Sequence, residues 1–119
     1  DQELSRGLGD VYKRQSEEGS GLIRSYIAYA KAWTCLAFNV SSNTLRDVFE
    51  GQPRLAPAVT GMQTMAGGKL VPTPGGMLIQ KDGKNIGAVG VTGDVSDQDE
   101  ICAIAGIESS NLTPGHKSK

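Results

Sequence analysis

Residues Gly67 to Gly106 constrain this chain most: GGKLVPTPGGMLIQKDGKNIGAVGVTGDVSDQDEICAIAG. Nine of the sixteen glycines lie between Gly61 and Gly93. Glycine serves positive φ and lets another group approach a backbone closely. The segment therefore folds as a tightly turned β-meander, as a backbone-lined ligand shelf, or as both. Met77 to Lys81 and Asn85 to Thr92 read as strands, joined by Asp82-Gly83. Asp-Gly between two such runs is a strong hairpin signal, because a type I′ turn needs φ > 0 at both central residues. A further strand is expected over 69–72. Gly87 and Gly90 give the second hairpin strand a nearly bare face, and glycine in a strand often marks close approach of a ligand or another backbone.

A helix follows. Ser96 fits its N-cap, Asp99 completes a capping box, and Asp97, Asp99 and Glu100 suit the positive end of the helix dipole. Ile101, Ile104 and Ala105 continue at helical spacing. The helix is expected over 96–108.

Upstream, Ile23, Tyr26, Ile27, Ala30, Trp33, Ala37 and Phe38 recur at three- and four-residue spacing. They predict a helix over 22–38 whose wide apolar stripe faces the sheet. Asn39 is a left-handed stop. Short helices are expected over 42–50, with Leu45, Val48 and Phe49 inward, and over 57–65, started by Pro57. Met62 and Met65 read as core filler.

The chain is one domain by length, and 38% hydrophobic residues supply a modest core. A formal charge of −1 leaves no basic footprint for nucleic acid. No stretch approaches the ~20 apolar residues of a membrane span. No signal-peptide pattern opens the sequence, so a cytoplasmic location is expected unless a leader has been lost. Cys35 and Cys102 lack metal-ligand spacing and read as buried, reduced thiols. The sole histidine, His116, lies in SSNLTPGHKSK, a polar tail over 110–119 expected to be disordered. No Ser-His-Asp or Cys-His arrangement can then be built in the body of the domain, so no catalytic or metal-ligating residue is assigned.

The candidate site is a slot between the central helix and the glycine-rich bend, lined by Lys31, Thr34, Pro72, Gly75, Gly76, Gly90, Thr92 and Gly93. The bare strand supplies space and the bend supplies amide donors. Lys31 supplies a cation for a carboxylate or propionate. Each residue has a plainer reading: Lys31 as a solvated lysine, Pro72 to Gly76 as a rigid bend.

GAVGVTGDVSDQDEICAIAG resembles the C-terminal signature of the GlcG/HbpS family. GGKLVPTPGGMLIQKDG resembles that family's central glycine segment, and AYAKAWTCLAF resembles its central helix. The likeness runs from about Gly19 to Glu108. It implies an α+β, profilin-like fold: a five-stranded antiparallel sheet with helices on both faces. It also implies haem or a related tetrapyrrole as ligand and homo-oligomeric assembly, in a carrier, sensor or accessory domain like the C-terminal domain of PduO-type corrinoid adenosyltransferases. An enzyme of glycolate-type carboxylic-acid metabolism is the alternative, with Asp99 and Glu100 moving protons. Family members have a helix and two strands before the central helix. Here residues 1–18 show no alternating apolar run, and SRGLGDVYKRQ resembles a translated adaptor. The expectation is a foreign, disordered segment over 1–18 and a domain over 19–109 that lacks that helix and those two strands.

Overall fold

The computed structural model describes residues 2–6, 12–15, 22–93 and 96–116. Its centre is the hairpin of β3 (Gly76–Lys81) and β4 (Lys84–Val91). Asp82 and Gly83 have φ of 53° and 78°, the positive pair that a type I′ turn requires. Pairing runs from Gly76 opposite Gly90 to Lys81 opposite Lys84, and the register shifts between Ile79 and Gln80.

Around the hairpin lie β1 (Gln2–Arg6), β2 (Tyr12–Gln15) and β5 (Thr113–Gly115), in the order β2-β1-β4-β3-β5, all antiparallel. The helices are α1 (Leu22–Phe38), α2 (Ser42–Gly51), α3 (Ala56–Met65, after a 3-10 turn at Pro53–Leu55) and α4 (Ser96–Ser109). The α+β antiparallel fold with flanking helices holds, and each helix begins and ends within about one residue of its expected bounds. Asn39 stops α1 at φ 56°, as expected.

Two terminal expectations are corrected. Residues 2–6 and 12–15 are paired strands, with β1 laid along β4 from Gln2 opposite Val91 to Arg6 opposite Gly87. The two strands thought missing are present. Strand pairing uses the backbone, and a hairpin edge with free N–H and C=O groups accepts a strand without apolar alternation. The tail forms β5 on the other edge, with Leu78 opposite Gly115 and Gln80 opposite Thr113. Pro114 is tolerated there because an edge strand can spare one donor. The other residues of 1–18, and residues 117–119, lie outside the described ones.

Alternation along the hairpin makes two cores. Met77, Ile79 and Val89 meet Ala103 and Ile107 of α4 on one face. Leu78 and Ala88 meet Ala32 and Cys35 of α1 on the other. A third cluster, Leu45, Ala66 and Leu70, lies beneath α2 and α3. In α4 the buried apolar positions are thus Ala103 and Ile107, while Ile101 and Ala105 are exposed.

The expected orientation of α1 is also corrected. Its sheet-facing residues are small: Ser25, Ala28, Ala32 and Cys35 are buried. Ile23 and Tyr26, from the apolar stripe, are 66% and 59% exposed. The glycines are the cause. A Cβ on Gly90 would stand 1.9 Å from the carbonyl oxygen of Ala28, and one on Gly76 would stand 2.7 Å from that of Lys31. Helix and strands meet backbone to backbone, so only a small helix face fits between them. Residues 69–72 are the last correction: they run between α3 and the bend without pairing in the sheet. Gln63 holds them instead, donating to the carbonyl of Leu70 at 2.8 Å and accepting from its N–H at 3.0 Å.

Candidate functional site

The structure brings Lys31 to Gly75, as the sequence suggested, and fills the slot between them. Lys31 Nζ lies 3.2 Å from Asp99 Oδ2 and donates to the carbonyl of Val91 at 2.9 Å. Both side chains of this ion pair are almost wholly buried, at 3% and 4% exposure. Burial pushes the Lys31 ammonium below the usual lysine range, and the charge and hydrogen bond of Asp99 oppose that shift. Gly75, at φ 125°, caps the pair, and a Cβ there would stand 2.4 Å from the Val91 carbonyl and 2.8 Å from Lys31 Nζ. Asp99 thus pins α4 to α1 across the end of the sheet. The Ser96 side chain, its expected capping partner, lies outside the described ones.

The other candidates are engaged in the same way. Thr34 Oγ1 has the carbonyls of Ala30 and Lys69 at 2.8 and 3.1 Å as acceptors for its one proton, and accepts from the N–H of Val71 at 2.8 Å. The N–H of Gly76 goes to Ser42 Oγ at 2.9 Å, and Ser42 donates to the Thr73 carbonyl. Pro72 is half-buried in the stretch that Thr34 anchors. Gly90 lies under Ala28. Thr92 and Gly93 follow the end of β4, where Arg24 donates to the Gly93 carbonyl at 3.1 Å. Around Gly75, Gly76 and Gly90, atoms of the same chain stand within 3 Å of where a Cβ would lie. The cation and amides assigned to a carboxylate have protein partners.

A groove lies beside α3. Trp33, Ala37 and Phe38 of α1 face Met62 and Met65 of α3 across a groove of ≈ 330 Å³, which Ala66 and Leu70 also line. Met65 is 88% exposed. Lys69 Nζ stands 5.3 Å from the centre of the Trp33 ring, within cation–π range. Sequence reading missed this groove and took both methionines for filler. The available signal was an α1 stripe of large residues too bulky to lie against a strand of glycines.

His116, expected in a disordered tail, belongs to the folded body. Its carbonyl accepts from the Ser41 N–H at 2.7 Å, and its Nδ1 lies 3.2 Å from Ser41 Oγ and 3.9 Å from Glu100 Oε1. Asn43 donates to the same carboxylate at 3.2 Å. Ser41 is buried and caps α2, so it is unavailable as a nucleophile. Glu100 is tied to α2 in the same way. Cys35 is buried and its thiol is pushed up to about 12 by desolvation, whereas Cys102 is exposed, contrary to expectation. Among the described residues no helix is long and apolar enough to cross a membrane, and no three His, Cys, Asp or Glu side chains gather as a metal site requires.

Known proteins share this architecture. The chain is 34% identical over 91 residues to the corrinoid adenosyltransferase PduO of Salmonella typhimurium, a match covering 76% of this chain and 26% of PduO. It therefore spans about a quarter of that relative's length. A crystal structure of a PduOC–haem complex superposes with a TM-score of 0.76 at 30% identity, covering 98% of this chain and 80% of that one. The Klebsiella pneumoniae protein ORFY superposes with a TM-score of 0.70 at 20% identity, over 90% of this chain and 71% of that one, a likeness of fold. The family model described as "Haem degrading protein HbpS-like" matches residues 8–108, taking in part of the segment expected to be foreign. The chain belongs to the HbpS-like family, and its domain resembles the C-terminal domain of PduO.

Proposed function

We propose that this chain is a haem-binding domain that carries, senses or presents haem or a related tetrapyrrole, and that it works as a homo-oligomer. One observation carries the reading: the likeness to the PduOC–haem complex extends over 98% of the chain at 30% identity. The residues fit such a ligand. A porphyrin needs apolar walls and a few polar fixtures, and the groove offers aromatic and thioether side chains beside one lysine. Haem iron can take a thioether ligand, and the chain offers the exposed Met65. Bound haem would supply a redox-active iron. The protein's part would be to seat the ring and set its ligands. For assembly, Ile23 and Tyr26 give α1 an outward apolar face of the kind that marks protein–protein contacts.

Haemin titration followed at the Soret band tests the reading. The expected result is one saturable site per chain, with Kd on the order of 1 μM or tighter. A linear, unsaturable absorbance rise would overturn it. Light scattering on the same sample measures assembly, and a mass equal to one chain would exclude the oligomer.

A further inference from the structure

We infer that the tetrapyrrole seat is the groove between α1 and α3, with its apolar ring edge against Trp33, Phe38 and Met65 and a propionate paired with Lys69. The inference rests on the haem-binding reading and names its site.

Three observations converge. The groove is lined mainly by apolar atoms, two of its residues being aromatic and two being methionines. Aromatic faces and polarizable thioethers suit a flat, polarizable ring. Met65 is a second pointer. At 88% exposure it contributes little to the fold, yet it places an apolar side chain in water at the groove's edge. Lys69 provides the third. Its ammonium stands over Trp33 at 5.3 Å, so a cation is held at the rim of the apolar wall. A ligand with an apolar body and carboxylates on one edge matches that layout. The glycine-lined end of the sheet does not, because its cation is already paired with Asp99.

The test uses the whole chain with two probes, haemin and haemin dimethyl ester, which lacks free carboxylates. Met65→Glu should weaken haemin at least tenfold while leaving the melting temperature unchanged. Lys69→Gln should weaken haemin several-fold and leave the ester unaffected. His116→Ala should retain affinity. Normal haemin binding by Met65→Glu overturns this seat alone, as does loss of binding in His116→Ala with both groove variants intact. A Met65→Glu protein that changes only its oligomeric mass makes the groove a subunit interface, and also overturns the seat. Failure of the unmodified chain to bind haemin overturns the underlying reading, and the seat with it.

Discussion

The glycine-lined end of the sheet and the groove beside α3 sit on neighbouring parts of one helix, yet they are built on opposite terms. At the sheet end, missing Cβ atoms admit another piece of the same chain: Ala28 over Gly90, Lys31 and Cys35 over Gly76. At the groove, large side chains on α1 and α3 stand apart and leave space. A bare strand face is thus a packing device here, and the emptiness lies where residues are bulky. Glycine tells that something comes close. It does not tell whether the visitor is a ligand or a helix.

Substitutions should separate the two regions sharply. The largest effect is expected for Gly90→Ala, whose Cβ would overlap the Ala28 carbonyl at 1.9 Å. Because both partners are backbone, the loss should exceed about 4 kcal/mol. A cooperative melt near the unmodified temperature would mean that α1 does not rest on β4 as described.

Next comes Asp99→Ala. It strands the Lys31 ammonium at 2% exposure without its partner. Removing one member of a buried pair costs about 3–5 kcal/mol, measurable by urea unfolding. The double variant Lys31→Met/Asp99→Ala should recover part of that loss. No recovery would rule out an uncompensated charge as the cause.

A third prediction uses pH. The folded Cys35 thiol stays protonated up to about 12, while an ordinary thiol ionises near 9.0. Between those values the unfolded chain binds fewer protons, so the thiol's contribution is complete below pH 9 and is lost as pH rises toward 12. The loss at pH 12 is roughly 4 kcal/mol at most, from three pKa units at 1.36 kcal/mol each. Cys35→Ala should flatten that slope in unfolding curves taken from pH 8 to 11. An unchanged slope would place Cys35 in solvent.

The smallest effect is expected in the groove. Met65→Ser should shift stability by less than about 0.5 kcal/mol, since the side chain is 88% exposed. A larger shift would mean that Met65 packs like core, erasing the contrast between the two regions.

The hairpin and the helices were legible because their signals are local. Asp82-Gly83, Asn39 and the apolar spacing of α1 each act within a few residues. The facing of α1 was not legible: periodicity reveals a stripe, but the glycines opposite decide which stripe can touch the sheet. β1 and β5 were missed for a related reason. Their places depend on a free edge 80 or more residues away for β1, and on the edge of β3 for β5. Lys31 and Gly75 were correctly brought together, but Asp99, which occupies the space between them, was assigned to a helix cap. The groove joins Trp33 to Met65 across more than 30 residues, and no local pattern marks it.

The strand order has a consequence in time. β3 and β4 are joined by a two-residue turn and can zip within microseconds. β1 is made first, but its partner across the ladder is Val91, almost the whole domain later. Long loops must close before such a contact is rewarded, which slows folding. During synthesis β1 can pair with β2 at once, but the two strands wait for β4 before they join the sheet. Amide exchange pulsed during refolding should protect Leu78 and Ala88 before Leu4. The oldest pair of strands is admitted to the sheet only by one of the younger ones.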